Sequence, residues 1–422
     1  MTETIRIQNF LIIQDVELHL NKMNVLIGPQ ASGKSLIAKL CYFFKNISSH
    51  MTRSMVTQKN KHGLDEVVFI DFENRFPRNT WEGTDFCIDY TYCDFSITLL
   101  GVKNEGNATK LILNFNKNLI NFYDKEKKYY SEVIGIDDNT LNILNEMQDG
   151  PLSRYQSYRS IFDVFLQKKN DFFSSELFVP AARSSFANIQ KNIFTLIVND
   201  IELDHFITGF GSLYEKIKTK YTQRHEKCDD KQLMHELDQL IQVIVNGQYE
   251  HANEKDWIIQ QGRKIELCYA SSGQQESLPM LLMLLMYPLL YKQKSFFFIE
   301  EPEAHLFPTA QSQVMAFLSY LYTKFETGFF LTSHSPYILS SLNNHILADE
   351  VVQAGKMKPE KFTELNGYGL PIAYDDVSAY TVLDGGVTSL KNDEYRMIGG
   401  DMLDSVSDHF GEVTNQLLAL ED

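Results

Sequence analysis

The run Gly28-Pro29-Gln30-Ala31-Ser32-Gly33-Lys34-Ser35 fits the pattern G-x-x-x-x-G-K-[ST]. Glycines at these places let backbone N–H groups from Gln30 to Gly33 curl around a β-phosphate, and a helix start just after adds favourable partial charge. Lys34 is spaced to pair with β- and γ-phosphates, and the Ser35 hydroxyl to reach Mg²⁺. The expected ligand is therefore ATP with Mg²⁺. A bare tight turn is the bland alternative, and the strand before and helix after weigh against it.

Ser295-Phe296-Phe297-Phe298-Ile299-Glu300-Glu301 reads as an apolar strand ending in two carboxylates. A strand that delivers carboxylates beside a P-loop is the Walker B arrangement, with Glu300 holding Mg²⁺ and Glu301 polarising the attacking water. Taken alone, two such glutamates suit a solvated strand edge. Ala270-Ser271-Ser272-Gly273-Gln274-Gln275-Glu276 precedes an apolar helix over Leu278–Leu290. Its serines are helix caps on the bland reading. The same hydroxyl and exposed N–H groups suit a γ-phosphate arriving from another subunit. Thr332-Ser333-His334-Ser335-Pro336 follows the strand Gly328–Leu331, where His334 is placed to sense a γ-phosphate.

The elements that must hold these groups are legible around them. Ile5–Ile7, Val16–Leu20 and Val25–Ile27 alternate or run apolar like short strands, and Ile37, Leu40 and Phe44 share one helical face. Residues from about 65 to 135 read as antiparallel β, with VVFIDF, FCIDYTY, FSITLL and LILNF between polar breaks. Helical periodicity dominates from about 138 to 248, broken by the strand-like Leu177–Pro180. Ser295–Ile299 and Gly328–Thr332 are continuous apolar runs suited to central strands buried on both faces.

Composition narrows the function classes. Of 422 residues, 44% are hydrophobic, ample for a large core, and 39 Lys and Arg against 55 Asp and Glu leave a net charge of −16. Such a surface repels a phosphate backbone at long range. The basic run Lys216, Lys218, Lys220, Arg224 and Lys227 reads as a solvated helix face. Five cysteines without C-x-x-C or Cys/His pairing speak against a zinc site and a disulfide framework. No basic and apolar leader stands at the start, and no apolar run reaches about 18–20 residues, so a cytoplasmic protein without a membrane partner is expected.

The ordered set of P-loop, A-S-S-G-Q-Q, F-I-E-E-P-E-A-H-L and T-S-H-S-P resembles the ABC-type ATPases of the RecF/SMC/OLD lineage over nearly the whole chain. The resemblance implies an α/β fold, an ABC-type P-loop head with an antiparallel β lobe and a helical insertion. It places lobe I at 1–137, the insertion at 138–262, and lobe II with the tail at 263–422. Ser271, Ser272, Gly273 and Gln274 then match the signature that acts in trans. Glu303, Ala304 and His305 fall in the D-loop, and His334 matches the switch histidine. A homo-oligomer, at least a head-to-head dimer, follows. Two departures stand out. Glu300 occupies a place where most ABC proteins carry Asp, and no clear Q-loop glutamine is present. The stretch Phe178 to Ser185 fills that junction. Its P-A-x-R recurs in OLD-like ATPases and makes Arg183 a phosphate or interface candidate, with a surface salt bridge as the alternative.

OLD nucleases carry a Toprim domain that needs D-x-D, and the 88 residues after His334 contain none. The resemblance points instead to ATPase subunits of anti-phage systems, of the Septu type (PtuA), also found with retrons, or of the PARIS type (AriA). It implies a separate nuclease effector, HNH or Toprim-like, a phage-encoded trigger, and a retron reverse transcriptase with its msDNA as further partners. The tail from Thr381 to Asp422 resembles the ending of this group. The alternative is a RecF/SMC-like DNA-repair ATPase that binds DNA directly through Lys59, Lys61, Lys125, Lys127 and Lys128.

Overall fold

The structure, a computed structural model, describes residues 2–133, 162–184, 204–291 and 294–399. The chain opens with the hairpin β1 (Glu3–Phe10) and β2 (Ile13–Leu20), then β3 (Met23–Ile27), the P-loop and helix α1 (Lys34–Val56). Helix α2 (Lys61–Arg75) leads to β4 (Phe86–Tyr92), β5 (Phe95–Lys103), β6 (Thr109–Phe115) and α3 (Lys117–Val133). Next come β7 (Ser175–Val179), α4 (His205–Lys218), α5 (Lys231–Val245), β8 (Gln248–Ala252), β9 (Lys255–Gln260) and β10 (Arg263–Glu266). The last third runs α6 (Ser272–Tyr291), β11 (Ser295–Glu300), α7 (Pro308–Lys324), β12 (Gly328–Ser333), α8 (Pro336–Gln353), α9 (Pro359–Asn366), β13 (Val377–Leu383) and β14 (Gly386–Ser389).

The central sheet has the order β14-β13-β3-β12-β11-β7, parallel throughout except for β14. Side chains alternate across its two faces. Val25, Phe297, Ile299, Phe329 and Leu331 face one core with α5, α6 and α7. Leu26, Phe296, Phe298 and Phe330 face a second core with α1. On the far side of α1 lies the antiparallel sheet β2-β1-β4-β5-β6, which puts Phe86, Ile88, Tyr90 and Tyr92 into that second core. Sandwiched between two sheets, α1 buries residues around most of its circumference, from Ile37 and Leu40 to Phe43, Phe44 and Ile47. Each such aromatic or aliphatic burial contributes about 1.5–3 kcal/mol.

The expected α/β head with an antiparallel lobe is what forms, with local corrections. The segment VVFIDF is helical, within α2. Leu64, Val68 and Phe72 recur every fourth residue on its buried face, Asn60 caps Gly63 N at 2.9 Å, and Phe72 stacks into Phe10, Phe43 and Phe76. Tertiary packing and a cap outweigh β-branched propensity there. After the expected helical stretch, at the boundary set at residue 262, β8, β9 and β10 form a three-stranded meander that short polar-apolar alternation had left unmarked. The periodicity over 134–161 and 185–203, and the tail beyond residue 399, lie outside the described residues. Lys216 and Lys220 are solvated as expected, but Lys218 is buried against Glu215 and Asp256, and Arg224 pairs with Asp238. No described helix is long and apolar enough to cross a membrane. The apolar α6 owes its composition to burial in the core.

Candidate active site

Parallel strands present their carboxyl ends along one edge, and the register puts the chemistry there. Ile27, the last residue before the P-loop, lies beside Ser333; Glu300 lies beside Thr332; Ile299 lies beside Val179. The P-loop, the two glutamates, His334 and the Pro180–Arg183 turn therefore emerge side by side, although they are far apart in sequence.

In the P-loop, Gly28 has φ +155, and a Cβ there would stand 2.6 Å from the carbonyl oxygen of Val382. Only glycine lets the loop press against β13. Pro29, Gln30 and Ala31 form its exposed tip, Ser32 is half-buried, and Gly33 precedes α1 without a side-chain cap. The first N–H groups of α1 are thus left for an anion. Lys34 donates to Gly28 O at 2.9 Å and Pro29 O at 2.6 Å, and its Nζ lies 3.5 Å from His334 Nδ1. Burial pulls the Lys34 pKa down, and Glu301 and Glu303 oppose that pull. Two carboxylates therefore offset part of the desolvation of the ammonium.

Glu300 is buried at the end of β11. Its Oε2 accepts from Ala181 N at 3.1 Å, while its Oε1 is buried with no partner among the described residues. An orphaned carboxylate oxygen at the strand edge that also carries the P-loop and its exposed Ser35 fits Mg²⁺ bound partly through water. Glu301 stands in the left-handed region at φ 45, held by its N–H on Thr332 O at 2.9 Å. Such strain in a non-glycine residue is kept where surroundings over-determine it. It turns the Glu301 side chain toward His334, whose Nε2 is 3.4 Å from Glu301 Oε1. Glu303 folds inward to support the histidine. Its Oε1 accepts from Ser333 Oγ at 2.7 Å and from His334 N at 2.8 Å, and burial pushes its pKa up. The structure thus brings Lys34, Glu301 and His334 together, and Glu303 supports the loop that carries His334, a contact its place after β11 did not announce.

Ser271 and Ser272 are exposed at the start of α6. Gln274 Oε1 accepts from Ser271 N and Oγ, both at 3.1 Å, and Gln274 Nε2 donates to Val245 O at 2.8 Å. No hydrogen bond among the described residues ties these four signature positions to the P-loop of the same chain. Gly273 packs beneath the D-loop, where a Cβ would stand 2.8 Å from His305 O. Ala304 is half-buried, and His305, at φ 59, is exposed. Tyr269, two residues before Ser271, Phe307, two after His305, and Tyr337 are exposed by 74%, 75% and 52%.

Arg183 is not on the surface; it is fully buried. Its Nη1 donates to Pro180 O at 2.9 Å and Glu300 O at 2.7 Å, its Nη2 to Glu301 O at 2.9 Å, and its Nε to Glu276 O at 2.9 Å. The Glu276 carboxylate accepts from Arg183 N at 2.9 Å and Ser184 N at 3.0 Å, and lies 3.4 Å from Arg183 Nε. The surface salt bridge is thereby corrected to a buried one, whose breakage costs about 3–5 kcal/mol. Glu276 escaped notice in the sequence. The signal was a lone acid leading an all-apolar helix, matched by a lone arginine after an apolar strand.

Of the lysines considered for DNA, Lys127 donates to Lys59 O at 3.0 Å, so α3 and the start of α2 bring those two together. Lys61 is paired with Asp65, and Lys128 lies 3.6 Å from Glu132.

A protein-family profile described as "AAA ATPase domain" matches residues 1–339. No curated protein matches the chain. Similar solved structures include the SMC head domain from Thermotoga maritima, at 10% identity and TM-score 0.37, covering 92% of this chain and 97% of that one. The Smc head domain from Pyrococcus furiosus, bound to the C-terminal domain of ScpA, is similar at 11% identity and TM-score 0.40, covering 98% and 99%. The recombination mediator protein RecF is similar at 13% identity and TM-score 0.32, covering 92% and 98%. With TM-scores this low, these likenesses add no argument about the site.

Proposed function

The chain belongs to the AAA ATPase domain family and is an ATP-hydrolysing enzyme, and we propose that its active site is completed only when two copies meet head to head. The P-loop cradles the β-phosphate with the N–H groups of Gln30 to Gly33. Lys34 leaves the carbonyls of Gly28 and Pro29 for the β- and γ-phosphates. Ser35 and Glu300 would hold Mg²⁺, which when bound would neutralise charge on the phosphate oxygens. Glu301 accepts a proton from the attacking water, and His334 hydrogen-bonds the γ-phosphate. Ser271, Ser272, Gly273 and Gln274 of the partner copy close the γ-phosphate side, and Glu303, Ala304 and His305 line the seam. The observation that carries this reading is the exposed start of α6, where the Ser271 and Gln274 side chains bond one another and Val245 O and, among the described residues, nothing of the P-loop. Specific activity should rise with protein concentration and level off once MgATP-bound dimers dominate on sedimentation. Full turnover by a monomer at high dilution would refute the shared site.

We further propose that this ATP-gated pair scaffolds and restrains a separate nuclease, HNH or Toprim-like, in an anti-phage defence complex that answers to a phage-encoded trigger. What supports this is the motif resemblance and a net charge of −16, which suits protein partners better than a phosphate backbone. Co-expression with the neighbouring nuclease gene should yield a stable complex whose toxicity the ATPase restrains. Duplex binding by the isolated chain, lost at moderate salt, would favour a DNA-repair role instead.

A further inference from the structure

Among the described residues, Arg183 bonds both to Glu276 near the start of α6 and to the backbone of Glu300 and Glu301 at the end of β11. Through Glu276 it grips the first turns of α6, which begins at the signature. Through Nη1 and Nη2 it grips the backbone of Glu300 and Glu301. A fully buried guanidinium has no water to fall back on, so loss of any one acceptor is costly and the three segments move together. From Glu301 the tie continues: Ala304 N donates to Glu301 O at 3.0 Å, and Glu303 holds Ser333 and His334.

In a head-to-head pair, a reading on which this inference rests, each copy's signature serves the partner's nucleotide while its Glu301 serves its own. We propose that Arg183 is a positioning residue that couples the two ATP sites. Seating of one copy's signature on the partner's γ-phosphate shifts the start of α6. Glu276 passes that shift to Arg183, and Arg183 resets the Glu300–Glu301 backbone in the copy's own site. The consequence is hydrolysis in which each occupied site promotes the other.

Steady-state ATP hydrolysis across ATP concentrations tests this in the wild type, Arg183→Lys and Glu276→Gln, with thermal melting as a check of folding and a fluorescent ATP analogue for affinity. Arg183→Lys keeps the charge and loses the fork; Glu276→Gln keeps the size and loses the charge. The wild type should give a Hill coefficient above one, bounded by about two for two sites. Either folded variant should drop it to about one and lower kcat about tenfold to a hundredfold, with nucleotide affinity kept within about twofold. A lost fold in one variant leaves the other to decide. A hyperbolic wild-type curve, or a folded variant with wild-type cooperativity, overturns the coupling while leaving the shared site intact. A wild type that never dimerises with MgATP would instead strike the head-to-head reading itself.

Discussion

Glu301 shows how a single residue's conformation sets its chemistry. Its left-handed backbone, pinned by Thr332 O, turns the carboxylate toward His334 and Lys34 instead of continuing along β11. Glu300, one residue earlier, stays on the strand and keeps one oxygen unpartnered. Two adjacent glutamates thus take different roles because the backbone between them turns. Glu301→Gln should keep ATP affinity while lowering kcat about a hundredfold or more, since a general base contributes about 10²–10⁴-fold. Size-exclusion chromatography of that variant with MgATP should show an accumulated dimer, and unchanged turnover would remove Glu301 from the role of base.

At the scale of elements, the junction of α6 with the D-loop is a close backbone contact. Gly273 lies beneath His305 O, with no room between them for a side chain. Gly273→Ala would place a methyl 2.8 Å from that carbonyl, and backbone, unlike a flexible side-chain tip, yields only by displacement. Because catalytic geometry tolerates displacements of about an ångström poorly, the variant should lose about tenfold to a hundredfold in kcat. Its melting temperature should hardly change, since the junction lies at the surface. A wild-type rate would show that the junction adapts freely.

For the whole molecule, the arrangement predicts complementation between two dead chains. Lys34→Ala removes the phosphate grip, and Ser271→Arg blocks the signature offered to a partner. In an equimolar mixture about half the pairs are mixed, each with one intact site, so at most about a quarter of wild-type activity should return by two-fold symmetry, and less where a lone site lacks its partner's promotion. Hydrolysis measured before and after mixing checks this. A mixture as inactive as its components would argue that each copy is self-sufficient.

The linear order of residues was enough to mark the loop between β3 and α1 and the strand that ends in Glu300. The P-loop and the run Ser295–Glu301 carry local signals, glycines for a tight backbone and apolar residues for buried strands, that hold in any tertiary setting. The strands β3, β7, β11 and β12 were legible for the same reason. Other features depended on partners distant in sequence. VVFIDF has strand-like composition, yet Asn60 and the aromatic cluster around Phe10 and Phe43 make it a helix. Arg183 read as a phosphate or interface candidate, or else a surface salt bridge, until β7, β11 and α6 enclosed it, because burial is a property of the packed chain. Hydrogen bonds to the carbonyls of Pro180, Glu276, Glu300 and Glu301 leave no trace in residue identity, since every residue offers a carbonyl and only the fold decides which one a buried guanidinium meets.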